Sequence, residues 1–312
     1  MRRHQAVIAP AAQRRPDQRP AGLTPARGQL GDGPCRIEDG TGTLPALGVG
    51  GTQPAGLMGA IDAMTMSSPG DFSLNTTAWS WQRTRSDSPN GLRGVSETVA
   101  SLWNGQTGME SSGRRADGAL RLIGQQGYAS LPASWPTGTF AQQLWTIAQT
   151  IRFNLGLRYA TLDLGGWDTH EGQGTAGSGY HYYQNKIAEL SAALAAFYAE
   201  LNGSGEMARV TVVVQSEFGR RVRANANGGT DHGYGNPLLV LGGAVNGRRF
   251  YGNWPGLGEN DMINGRDLRP TTDYRAVLAE ILVRHLGLGE ADVAGIFPTV
   301  HANSSNWRNF TL

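Results

Sequence analysis

A single cysteine, Cys35, in a chain of 312 residues excludes both an intramolecular disulfide and a thiolate metal cage. It does not fix the compartment, because exported proteins without disulfides exist. Lysine is almost absent as well: Lys186 is the one lysine among 27 basic residues, so arginine carries nearly all the positive charge. That usage follows coding bias in a GC-rich genome more readily than phosphate recognition, and the formal net charge of +2 is too small to argue for a nucleic-acid partner. No apolar run approaches the ~18 residues of a membrane span, and no apolar leader segment follows Met1-Arg2-Arg3. Also missing are an internal repeat, a glycine-rich phosphate loop and a Gly-Xaa-Ser-Xaa-Gly elbow.

What is present is concentrated between residues 158 and 247. Three short runs, Tyr159-Ala160-Thr161-Leu162, Val210-Thr211-Val212-Val213-Val214 and Leu238-Leu239-Val240-Leu241, are aliphatic or β-branched and closed by glycine or polar residues, the pattern of buried parallel strands. Between the first two, Ile187, Leu190, Leu194, Phe197 and Leu201 recur at spacings of three and four and predict an amphipathic helix. Strand, helix, strand at this length reads as a crossover unit, which brings the ends of both strands to one edge of a sheet.

Beside these strands lie three polar clusters: Gly-Gly-Trp-Asp-Thr-His (165–170), Ser-Glu-Phe-Gly-Arg-Arg (216–221) and Gly-Thr-Asp-His-Gly (229–233). Two follow their strand and one precedes it. Together they carry Asp168, His170, Glu217, Asp231 and His232. Three carboxylates and two imidazoles suit a divalent ion that accepts mixed oxygen and nitrogen donors: zinc, manganese, calcium or iron. Acids and histidines beside glycines also serve as turn residues and helix caps. As a set against one edge they point to a metal site.

The chain divides into residues 1–43, arginine- and proline-rich with no periodic apolar face and expected to be disordered, and a single α/β domain over 44–312. Residues 44–74 read as a weakly ordered connector with a short strand or loop at Ala63-Met64-Thr65-Met66. Helices are expected over 91–104, over 116–125 and from Phe140 to Leu155. After the third strand, 247–270 forms a Gly/Pro/Asn-rich excursion with Phe250, Tyr251, Trp254 and Leu257, placed to pack or to cover a site. A further helix starts near Asp273, with Val277, Leu278, Ile281, Leu282 and Leu286 on its apolar face.

At Gly166-Trp167-Asp168-Thr169-His170, Ser216-Glu217-Phe218-Gly219-Arg220, Gly229-Thr230-Asp231-His232-Gly233 and Thr272-Asp273-Tyr274 the sequence resembles the bacterial domain of unknown function 1501, over about residues 44 to 298. The resemblance implies a branch of the alkaline-phosphatase and sulfatase superfamily, with a three-layer α/β/α sandwich and metals at the carboxyl ends of the strands. Asp168 and His170 would then hold one ligand position, Glu217 a second, and Asp231 with His232 the last loop. In such a site Arg220 or Arg221 would grip a substrate oxyanion. The family's opening strand, its terminal metal-binding Asp and its nucleophile are not visible here, so the chain is expected to lack that first strand. Members of the branch are commonly exported.

The implied function is hydrolysis of phosphate or sulfate esters, on a small molecule or a polymer, with a divalent metal. The alternative is a non-catalytic metal-binding or structural protein on the same fold.

Overall fold

The computed structural model describes residues 4–10, 44–60, 63–69, 101–175, 181–298 and 308–311. Its strands are β1 (His4–Pro10), β2 (Ala46–Val49), β3 (Ala63–Met66), β4 (Tyr159–Leu164), β5 (Val210–Gln215), β6 (Gly219–Arg220), β7 (His232–Gly233) and β8 (Leu239–Gly242). Its helices are α1 (Gly108–Gln125), α2 (Thr139–Arg152), α3 (Tyr182–Gly203), α4 (Tyr274–Arg284) and α5 (Glu290–Ile296). Six strands form one sheet in the order β3-β2-β4-β1-β5-β8, while β6 and β7 pair apart from it. β3, β2 and β4 are parallel neighbours, and β1 runs antiparallel to both β4 and β5. The chain is therefore an α/β protein in which β4 and β5 point the same way and end at one edge.

β5 shows why the sheet takes helices on each side. Successive side chains of a strand face opposite ways. Val210 and Val212 join a core with Leu47, Ile147, Leu162, Phe197 and Leu201, drawn from β2, α2, β4 and α3. Val213 belongs to another cluster, with Ile281 of α4 and Phe310. Burial of each such side chain contributes roughly 1.5–3 kcal/mol. The two helices in front of the site carry the expected faces: Phe140, Leu144, Ile147, Ala148 and Ile151 are buried on α2, and Leu194, Phe197 and Leu201 on α3. Ile187 departs from the pattern and is exposed.

Several expectations need correction. The opening residues are not without structure throughout: His4–Pro10 pairs with β4 from His4↔Leu164 and with β5 from Gln5↔Gln215. Its Ala-Val-Ile-Ala run is too short to stand out from the surrounding arginine and proline, yet it fills the gap between two strands that do not pair with each other. The supposed connector holds β2 beside the short strand expected at Ala63–Met66, β3, in parallel register from Ala46↔Ala63 to Val49↔Met66. β8 runs antiparallel to β5, from Thr211↔Gly242 to Val214↔Leu239. The link between them stays at the edge where β5 ends, so β8 starts at that edge and must run back. α1 begins at Gly108, where Thr107 and Glu110 form a reciprocal capping box. The helix expected over 91–104 lies outside the described residues apart from its last turn.

On the α4 side the tail is held by one acid. Glu280 is fully buried; its Oε2 accepts from the amides of Arg308 (2.9 Å) and Asn309 (3.2 Å). Its Oε1 accepts from the amides of Phe310 (2.9 Å) and Thr311 (3.3 Å) and from the Thr311 hydroxyl (3.1 Å). A carboxylate surrounded by donors in this way is a fold-specifying group, because its removal strands several buried N–H groups at once. Glu280→Ala is expected to lower unfolding free energy by about 3–5 kcal/mol, measured by urea denaturation, with Glu280→Gln falling between the two.

Candidate metal centre

The loop after β4 turns at Gly166, whose φ is +89°, and packs Trp167 into the core with its indole N–H donating to the Leu164 carbonyl at 2.8 Å. With Trp167 anchored, Asp168 and His170 project from the strand edge. The third cluster comes alongside through backbone contacts: the Thr230 amide donates to Thr169 O at 3.0 Å, and the Gln173 amide to Gly228 O at 3.0 Å. A Cβ at Gly229 would stand 2.3 Å from the His170 carbonyl carbon, so this approach requires glycine. The hydroxyls of Thr169 and Thr230 both reach Gln173 Oε1, at 3.2 and 2.8 Å. β6 and β7 then set Arg220 opposite His232.

These contacts bring three donor atoms together. Asp168 Oδ1 lies 3.2 Å from His170 Nε2 and 2.9 Å from His232 Nε2, and the two Nε2 atoms are 3.0 Å apart. Among the described residues these three form one group able to hold a metal ion. Cis donors about 2.1 Å from a single ion stand roughly 3 Å apart, against about 3.4 Å for tetrahedral ones. The donor spacing fits one divalent ion with open positions. Exposures of 50, 45 and 34% for Asp168, His170 and His232 leave the group accessible from solvent.

Each ligand is held from behind. His170 Nδ1 lies 3.2 Å from Asp231 Oδ1, while its Nε2 faces Asp168 Oδ1 and His232 Nε2; a proton on Nδ1 toward Asp231 would leave Nε2 as the atom available to an ion. Asp231 also accepts from Asn225 Nδ2 (3.1 Å) and Arg221 Nη1 (3.1 Å), and the same Asn225 amide donates to His170 O at 2.7 Å. His232 stacks on Phe218, with centroids 3.7 Å apart. Arg220 donates to Asp168 Oδ1 (3.0 Å), to Thr230 O (2.6 Å) and to Trp167 O. Hydrogen bonding from His232 holds the Asp168 carboxyl below its ordinary range; desolvation opposes it, and Arg220 adds a lesser lowering. Asn225 first, then His170, does the same for Asp231.

Of the residues singled out in the sequence, then, Asp168, His170 and His232 meet directly, and Asp231 supports His170 from behind. Glu217 is exposed and stands outside the group of three. Arg220 and Arg221 are engaged by the protein's own carbonyls and carboxylates. Asn225, Gln173 and Phe218 also support the centre, and as amides and a ring they carry no charged or imidazole signal in the sequence. The Asn-Ala-Asn-Gly-Gly turn signal at 225–229 was the available hint. At the same edge, the ends of β2 and β4 line a cavity of about 240 Å³ with Val49, Gly50, Thr52, Gln143, Asp163 and Gly165.

With that geometry in place, the family comparison is informative. A family model described as protein of unknown function (DUF1501) matches residues 114–297, more than half of the chain and all three clusters. The chain belongs to the DUF1501 family. No curated protein and no solved structure matches it. Among the described residues of this DUF1501 protein, no helix is long and apolar enough to cross a membrane.

Two outcomes are expected. Gly229→Ala should weaken divalent-ion affinity tenfold or more by pushing back the loop that carries His170, read by calorimetric titration. The carboxyls of Asp168 and Asp231 are depressed in the folded state, so their contribution is complete above the ordinary carboxylate range, near pH 4. It is lost as pH falls through their lower folded values. The melting temperature should accordingly fall as pH is lowered below about 4.

Proposed function

We propose that this DUF1501 protein is a metal-dependent hydrolase-like member of the alkaline-phosphatase and sulfatase superfamily, acting on phosphate or sulfate esters. The observation that carries the reading is the convergence of Asp168, His170 and His232 at mutual distances of 2.9–3.2 Å at the carboxyl ends of β4 and β5. Helical cores against both faces of β5 support the three-layer α/β/α arrangement of that superfamily. Two imidazoles and one carboxylate oxygen suit zinc, manganese or iron; calcium wants six or more oxygens. The bound ion would supply Lewis acidity toward an ester oxygen and lower the pKa of a bound water. Asp231 sits behind His170, and Arg220 donates to the Asp168 carboxylate.

The second reading, a metal-binding protein without turnover, is favoured by one observation. Two hydroxyls in the first two motif segments are committed elsewhere: Ser216 Oγ donates to Phe218 O at 2.7 Å, and Thr169 Oγ1 to Gln173 Oε1 at 3.2 Å. Neither is poised as a nucleophile, so catalysis would rest on water.

Elemental mass spectrometry separates these readings in order. Wild-type protein should carry stoichiometric metal that is lost in Asp168→Ala, His170→Ala and His232→Ala and kept in Glu217→Ala. Asp231→Asn should retain the metal with affinity reduced about 10- to 100-fold. Turnover of aryl phosphate or aryl sulfate that disappears with the metal supports the hydrolase, and metal without turnover supports the second reading. A wild type that stays metal-free after incubation with zinc, manganese and iron overturns both.

A further inference from the structure

The loop after β8 leaves the sheet at Asn246 and presents an unusual surface. Phe250 is completely exposed, Trp254 is 71% exposed and Leu257 50%. Large apolar side chains scattered singly need no explanation, but three on one short loop mark an interaction site. Arg248 and Arg249 immediately precede them; both are exposed, and neither guanidinium makes a hydrogen bond or ion pair with any described residue. That contrasts with Arg220 and Arg221, which are engaged at the metal centre.

The loop is held in shape from beneath. Tyr251 donates its hydroxyl to Asn246 O at 2.7 Å, and the Thr271 hydroxyl donates to Asn253 O at 2.6 Å. The Gly258 amide donates to Asp261 Oδ2 at 3.1 Å, and Gly252 and Gly256 turn the backbone at φ +111° and +90°. Because the base is fixed, the exposed tip is presented at little cost in ordering on contact.

We propose that residues 248–257 dock this protein on the surface of an anionic lipid bilayer. The chemistry of each part matches one layer of that surface. Arginines unpaired among the described residues meet the lipid phosphates, where each basic residue near an anionic surface adds attraction. Tryptophan belongs at the headgroup level, with its apolar body inward and its N–H outward. Phenylalanine and leucine reach the acyl boundary. A nucleic-acid site would use more than two cations.

The test is vesicle co-sedimentation of the full chain with phosphatidylglycerol-rich and with pure phosphatidylcholine vesicles. Binding should be seen with the anionic vesicles, weaken as salt is raised, and be absent with the neutral ones. Arg248→Ala combined with Arg249→Ala should reduce partitioning roughly 30-fold. Phe250→Ser combined with Trp254→Ser should reduce it at least tenfold. Both double variants sit on exposed positions, and an unchanged melting temperature and metal content would show that fold and centre are intact. Absence of wild-type binding, or equal binding to neutral vesicles, overturns the proposal. So does binding that survives the aromatic double variant, since the loop would then be a plain anion site. Retention on an insoluble polysaccharide without vesicle binding would reassign the aromatics to sugar stacking and overturn it as well.

Discussion

The centre depends on how closely two backbones run. His170 and His232 are 62 residues apart in the chain, and their rings meet because the segment after β4 and the segment before β8 lie against each other at Gly229. No side-chain attraction has to search for its partner across that separation. The amide of Thr230 and the carbonyl of Thr169 fix the spacing, and Gln173 accepts from a hydroxyl on each side of the seam. A methyl group at Gly229 would have to displace peptide atoms, which cannot yield as the end of a flexible side chain can.

Around that seam the charges are arranged in closed pairs. Asp168 and Asp231 face Arg220 and Arg221, so the protein neutralises its own carboxylates before any ion arrives. Arginine forks suit carboxylates well, and here they orient ligands and stand away from substrate. A centre without surplus negative charge gains little from simple attraction for cations. For an ion held here, selectivity would rest on imidazole preference and donor spacing, which disfavours hard ions that need many oxygens.

Much of this was legible in the sequence. Aliphatic runs located β4, β5 and β8, and the 3.6-residue period located α2 and the buried face of α3, because burial on one side imposes those patterns. The three residues that meet, Asp168, His170 and His232, were readable from residue type and proximity to strand ends. Two things were not. Val7 and Ile8 lie in a run too brief to compete with the composition around it; only the vacant backbone groups of β4 and β5 define it as a strand. The direction of β8 was misread, although the clue was present: for a cluster that precedes its strand to share an edge with two that follow theirs, the strand must be antiparallel. The support residues Asn225, Gln173 and Phe218 are known only through contacts.

The position of β1 has a further consequence for how the molecule comes together. Its registers reach from Gln5 to Asp163 on one side and from Gln5 to Gln215 on the other. The opening strand can therefore complete its ladders only after more than two hundred residues have been synthesised, and loop closure of that length is slow relative to local helix formation. Until then β4 and β5 each present an unpaired edge, the feature most prone to pairing with another chain. The same vacancy that makes room for β1 is thus the point where a nascent chain is most exposed to misassembly.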